Sequence, residues 1–224
     1  MLKALVFDMD GTITHLTLPL EAMRRDTKEY YISKGLPPEI FEPADGISSS
    51  TSKARDYFLN NGLTQEEWDA MAVEVDTILS QHEGFAAATA TPIEGTLEIV
   101  RKLRDAGFKT AILTNNGRPA LDKIMKQIPL QETFDFIQTR HESSQPKPFP
   151  DGLLEVASEL GVDSSEVVFI GDALIDGTAA RRAGIEFWGV STGETAADVL
   201  YDAGASKVFP SLEGVLEAAL SVRE

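Results

Sequence analysis

Residues 4–14 read ALVFDMDGTIT. Four apolar residues, Ala4 to Phe7, run into two aspartates separated by one residue, Asp8 and Asp10, and then into Gly11 and Thr12. A short apolar run bounded by turn residues reads as a buried strand, and the carboxyl ends of strands are where open parallel sheets bind ligands. Two carboxylates ~4 Å apart repel by roughly 1–4 kcal/mol at effective dielectrics between those of water and a protein surface. Such a pair at a strand end calls for a cation.

The same pattern recurs along the chain. Thr110–Leu113, Phe134–Ile137, Val167–Ile170, Ile185–Val190 and Lys207–Phe209 are short apolar runs between turn residues and are predicted strands. Between them lie helical patterns over Glu94–Ala106, Pro119–Gln127, Asp151–Leu160, Leu174–Ala183 and Leu212–Leu220, three of them closed by a glycine at 107, 161 or 184. Strand alternating with helix predicts an α/β fold, a parallel sheet flanked by helices. Residues 15–91 break the alternation with helical patterns alone, near Leu20–Ser33, Thr51–Asn60 and Thr64–His82, the last opened by the capping box Thr64-Gln65-Glu66-Glu67. The expected organisation is a catalytic core of residues 1–14 and 92–224 with a small helical domain, 15–91, inserted after the first strand.

Composition narrows the functions available. The 224 residues carry 20 Lys and Arg against 36 Asp and Glu, a net charge of −16, which repels nucleic acid and anionic membrane surfaces. There is no cysteine, hence no disulfide framework and no thiolate zinc site. The opening MLKALVFDMD puts acid where a signal peptide needs an unbroken apolar stretch, and no apolar run approaches the ~18 residues of a membrane span. A cytoplasmic protein, monomeric or weakly dimeric, without nucleic acid or membrane partners, is the expectation.

Three predicted strands end on polar groups: Asp8, Thr114, and Gly171-Asp172. With Asp176 they gather carboxylates that suit magnesium, a hard cation usually held by few protein groups while water and phosphate fill its other positions. Singly, each has a plainer reading. Asp10-Gly11 is a common turn, Asp172 an N-cap, Thr114 a tie for the loop TNNG, Lys147 a solvated loop lysine, and Asp176 a polar helix position. Together, in order and each in its structural context, they are hard to assign to chance.

The arrangement resembles the haloacid dehalogenase superfamily, specifically its phosphatases with an inserted helical cap of the phosphoglycolate phosphatase and β-phosphoglucomutase kind. DMDGT (8–12) is similar to the first motif, LTNN (113–116) to the second, KPFPDG (147–152) to the third and GDALID (171–176) to the fourth. One departure is Ala173, where the family often has serine. The resemblance implies a Rossmann-like core, with Asp8 as nucleophile and Asp10 as general acid and base. It implies Mg2+ at Asp8, the Asp10 backbone carbonyl and Asp172, with Asp176 in the metal site, and phosphate held by Thr114, Asn115 and Lys147. The substrate it implies is a small phosphorylated metabolite, phosphoglycolate-like or a sugar phosphate. A phosphomutase would use the same residues. A phospho-accepting signalling module is the non-enzyme alternative, opposed by the large insertion and by Asp10, which would destroy the phosphoaspartate such a module keeps. A dehalogenase needs no second aspartate.

In the insertion, five of six basic side chains fall in two clusters: Arg24, Arg25 and Lys28, then Lys53 and Arg55. Arg24, Arg25, Lys53 and Arg55 are candidate substrate contacts, against the plainer reading of a solvated face paired with Asp26, Glu29 and Asp56. Of the histidines, only His15 lies close enough in sequence to the first motif to reach the site.

Overall fold

Ala4–Phe7 forms β1, and all four of its residues are fully buried. The structure, a computed structural model, describes residues 1–15, 17–193 and 195–222. β1 lies in a six-stranded parallel sheet with β2 (Lys109–Leu113), β3 (Phe136–Gln138), β4 (Val167–Gly171), β5 (Glu186–Val190) and β6 (Lys207–Phe209), in the order β3-β2-β1-β4-β5-β6. The chain winds outward from β1 to β2 and β3, then returns to β4 on the other side of β1. That reversal makes the carboxyl ends of β1 and β4 the crevice of the sheet.

Because successive side chains of a strand point to opposite faces, β1 feeds two cores. Leu5 and Phe7 join the apolar stripes of α4 (Thr96–Asp105), α5 (Arg118–Met125) and α10 (Leu212–Ser221). Ala4 and Val6 face those of α7 (Asp151–Glu159), α8 (Leu174–Ala183) and α9 (Ala197–Asp202). The fold class is thus the one the alternation predicts, a Rossmann-like parallel sheet with helices on both faces. β3 starts two residues later than its apolar run, because a short helix, α6 (Leu130–Thr133), precedes it and Phe134 turns inward, edge-on to Phe7 at 5.9 Å. α9 escapes the sequence pattern because it spans six residues and buries only Leu200.

The chain divides into two compact units, Met1–Thr17 with Ala87–Glu224, and Leu18–Ala86. The second holds α1 (Leu20–Ser33), α2 (Ile47–Asn60) and α3 (Gln65–Ala86). Its core is assembled at helical spacing from Met23 and Tyr31, from Ala54 and Phe58, and from Trp68, Met71, Val75 and Leu79. Tyr31 stacks on Trp68 with centroids 5.8 Å apart. The capping box at α3 forms, the Thr64 N–H donating to Glu67 Oε2 at 2.8 Å and the Glu67 N–H to Thr64 Oγ1 at 3.2 Å. α2 begins four residues before the stretch predicted for it. The Asp45 carboxylate accepts from the Glu42 N–H, the Ser49 hydroxyl and the Lys53 ammonium, so the serine run 48–50 is held as helix. Among the described residues no helix is long and apolar enough to cross a membrane.

Candidate active site

At the end of β1 the chain turns through Gly11, whose φ is 86°. A side chain there is strained by that angle, and its Cβ would collide with the carboxylate of Asp172, so the turn and the close approach both demand glycine. The Asp8 N–H continues the ladder by donating to Ile170 O at 2.8 Å, which ties the end of β1 to that of β4. Asp172 follows β4, is 1% exposed, and accepts from the Thr12 hydroxyl at 3.1 Å. It does not cap α8, whose N-cap position is Ala173.

Lys147 is no solvated lysine. It is 2% exposed, donates to Asp8 Oδ1 at 2.6 Å and to Asp176 Oδ1 at 2.7 Å, and lies 5.3 Å from the Phe169 ring centroid. Asn115 fixes its backbone, donating from Nδ2 to Lys147 O at 2.8 Å and accepting the Lys147 N–H on Oδ1 at 3.0 Å. The Asn115 side chain is therefore committed to the scaffold, and what it leaves for a ligand is main chain. Thr114 Oγ1 accepts the Asn116 N–H at 3.1 Å, the loop tie that is its plainer reading.

Ligand atoms of Asp8, Asp172 and Asp176 lie within 4.8 Å of one another, all three residues buried. Asp176 has both oxygens engaged, Oδ1 by Lys147 and Oδ2 by the Ala173 N–H at 3.0 Å. Burial pushes its pKa up and Asp8 adds to that, while Lys147 opposes them. Burial pulls Lys147 down, but Asp176 and Asp8 more than offset it and the net shift is upward, which keeps the ammonium charged. Asp10 is turned elsewhere. Its Oδ2 accepts from Asn116 Nδ2 at 2.5 Å and its Oδ1 from Thr14 Oγ1 at 3.4 Å. Burial and then the charge of Asp8 push Asp10 up to about 7, against the Asn116 donor.

The structure thus gathers Asp8, Asp10, Thr114, Asn115, Lys147, Asp172 and Asp176 at one end of the sheet. Arg24, Arg25, Lys53 and Arg55 belong to the helical unit. There Arg25 pairs with Asp26 at 2.8 Å, and Lys53 with Asp45 at 2.7 Å, while Arg55 is exposed. His15 is exposed, and its N–H donates to Thr91 O. Sequence reading gave no role to Thr12, Asn116 or Gly193. A Cβ on Gly193 would overlap the Asp172 carboxylate, and the neighbouring Thr192 hydroxyl donates to Gly11 O at 2.5 Å, so the loop after β5 walls the site. Nothing local in STGE signals that wall. Asn116, by contrast, stood inside LTNN.

A model of the haloacid dehalogenase-like hydrolase family matches residues 2–184. The chain belongs to that family. Among relatives of this hydrolase, an N-acetylmuramic acid 6-phosphate phosphatase of Pseudomonas aeruginosa is 28% identical over 82% of the chain and 79% of the relative. A phosphoglycolate phosphatase of Neisseria meningitidis is 26% identical over 85% of the chain and 81% of the relative. A hydrolase of Pseudomonas syringae shares the fold, with a TM-score of 0.67 at 23% identity, covering 96% of this chain and 98% of that one.

Proposed function

We propose that this hydrolase is a magnesium-dependent phosphomonoesterase that removes the phosphoryl group of a small metabolite, phosphoglycolate-like or a sugar phosphate, through an aspartyl phosphate on Asp8. One observation carries the reading. Two carboxylates of a single turn have different partners, Asp8 the Lys147 ammonium and Asp10 the Asn116 amide, which suits them to different jobs. The phosphatase names of the relatives from P. aeruginosa and N. meningitidis support it.

The donor set fits magnesium. Its oxygens are hard, and Lys147 offsets only part of the charge that Asp8, Asp172 and Asp176 bring together. Asp8, Asp172 and the Asp10 backbone carbonyl would hold the ion, with Asp176 behind them keeping Lys147 in place. Bound there, magnesium supplies positive charge between the nucleophile and the phosphoryl oxygens.

An Asp8 carboxylate oxygen bonds to phosphorus as the bond from phosphorus to the leaving oxygen breaks, and Asp10 gives that oxygen its proton. Water then bonds to phosphorus, Asp10 takes the proton from it, and the bond from phosphorus to Asp8 breaks to release phosphate. Lys147, the Thr114 hydroxyl and the Asn115 N–H hold the equatorial oxygens, where positioning and charge supply most of the catalysis. Selection of the leaving group is assigned to the helical unit, Leu18–Ala86. Arg24, Arg25, Lys53 and Arg55 are its candidate substrate contacts, Arg25 and Lys53 being also paired with carboxylates of their own unit.

The test is phosphate release across a panel of phosphorylated metabolites, with magnesium and with a chelator. Activity should vanish with the chelator and return with magnesium. Full turnover in metal-free buffer, or no ester hydrolysed, would sink the reading, and activation by a bisphosphorylated sugar would identify a mutase instead.

A further inference from the structure

The geometry points to Asn116 as the positioning residue of Asp10, an inference that rests on the acid-base reading of Asp10 and goes one step past it. Asn116 is buried, and its Nδ2 reaches Asp10 Oδ2 at 2.5 Å. The other hydrogen bond to the Asp10 carboxylate among the described residues is weaker. Thr14 Oγ1 stands 3.4 Å from Oδ1 and has one proton to share between that oxygen and Met9 O at 3.2 Å.

Asn116 is fixed in turn. Its N–H donates to Thr114 Oγ1, its carbonyl accepts the Arg140 N–H at 3.2 Å, and the preceding carbonyl, of Asn115, accepts Arg140 Nη1 at 2.7 Å. With its backbone tied on both sides, the amide has little freedom except toward Asp10. Asn116 also follows directly on Thr114 and Asn115, so the loop that grips the phosphoryl group also aims the acid and base. Since a donor occupies Oδ2, the proton that moves rides on Oδ1. It passes from Oδ1 to the leaving oxygen as the first bond to phosphorus is exchanged, and returns there from water in the second exchange.

The expected signature is a dependence on the leaving group. An activated aryl ester leaves without a proton, whereas an alkyl ester needs Asp10 correctly aimed. Asn116→Leu, which fills the space without a donor, and Asn116→Ala should be compared with wild type in rapid-quench single turnovers. The substrates are p-nitrophenyl phosphate and the alkyl phosphate that wild type hydrolyses fastest in the panel. Phosphorylation by the alkyl ester should fall by ~10–100-fold, part of the 10²–10⁴ that general acid-base groups supply. Phosphorylation by the aryl ester should fall by less than about threefold. Hydrolysis of the phosphoenzyme should slow like the alkyl reaction, so the aryl ester gives a burst. Burst amplitude counts folded sites, so misfolding lowers the amplitude and leaves the ratio of rates unchanged.

Equal losses on both esters, or no loss on either, would overturn the assignment while leaving a working phosphatase. If Asp10→Asn loses the alkyl and aryl reactions equally, the acid-base reading itself fails, and the assignment with it.

Discussion

One charge cluster of the α/β unit and the ion pairs of the helical unit are built in opposite ways. In the α/β unit, Asp8, Asp172, Asp176 and Lys147 are buried together at the end of the sheet. In the helical unit, charged pairs sit toward the surface: Arg25 with Asp26 and Lys34 with Glu74, with Lys53 and Asp45 at a helix start. Exposed pairs are worth about 0–1 kcal/mol, and several like charges buried together cost more than they return unless a ligand completes them. Stability alone would not assemble the first arrangement. The second does nothing that stability does not explain.

The sharpest way to break this contrast is to remove charge where it is proposed to serve chemistry. Asp8→Asn should abolish phosphoryl acceptance, because an amide fills the space but is a far poorer nucleophile. Its melting temperature should hold or rise, since a repelling carboxylate has been removed. Asp10→Asn should slow hydrolysis of the intermediate by ~10²–10⁴. With an activated ester and magnesium it should then accumulate one hydroxylamine-labile phosphoryl group that Asp8→Asn never acquires. Mass spectrometry after rapid quench checks this. Normal single-turnover release with no covalent phosphate on Asp8 would replace the mechanism with direct attack by water.

A smaller effect is expected at the wall of the site. Gly193→Ala places a methyl group against the Asp172 carboxylate and must displace one of them. Changes to groups that orient metal ligands typically cost 10–100-fold in affinity, and magnesium titration by calorimetry should show a weakening of about that order. Unchanged affinity would mean that Asp172 is not a ligand or that the loop after β5 gives way.

The difference between the units also governed what could be read from the sequence. β1 and β4 were legible because a strand buried on both faces must be a continuous apolar run, and the aspartates that interrupt those runs stand out against them. Asp8, Asp10 and Asp172 stood out for that reason, and Lys147 only through KPFPDG. Gly193 was not legible, because what makes it matter is a contact with Asp172 across 21 residues of chain and nothing beside it in sequence reports it, whereas Thr12 stood inside DMDGT and only its hydrogen bond to Asp172 was hidden. In the helical unit the start of α2 was hidden because serines 48–50 read as loop, and only the Asp45 carboxylate, accepting from three donors, turns them into helix.

That cluster contributes to the acid limb of the stability profile. Burial would push Asp45 up, but Lys53, Ser49 and the Glu42 N–H overcome it and hold the carboxyl at about 2, below its ordinary 3.8. A depressed carboxyl stabilises the fold fully above its unfolded pKa and loses that contribution as pH falls toward the folded value. The difference is worth up to about 2 kcal/mol. Unfolding measured from pH 5 down to 2 should therefore be steeper for the wild type than for Asp45→Asn. Parallel curves would assign the acid sensitivity elsewhere, Glu142 of the α/β unit being the next place to look, since against burial Arg118 and Thr139 hold its carboxyl at about 2.

The smallest expected effect tests the claim that the interior of the helical unit is built for stability, since an interior under that rule alone is improved by removing a polar group that serves nothing. The hydroxyls of Thr27 on α1 and Ser50 on α2 are buried without a hydrogen-bond partner among the described residues. Leaving a buried hydroxyl unpaired costs ~1–3 kcal/mol, and an apolar group of the same shape recovers part of that. Thr27→Val keeps the branched shape and removes the oxygen, at a small cost in helix propensity. It should stabilise the protein by about 1 kcal/mol, seen as a melting temperature higher by a few degrees, with turnover of p-nitrophenyl phosphate unchanged. Stabilisation with a changed preference among metabolites would show that the interior of this unit also serves selection, and destabilisation would show that the hydroxyl has a partner, such as a buried water. The first result would erase the division between a stabilising interior and a selecting surface in this unit, and the second the claim that the Thr27 hydroxyl serves nothing.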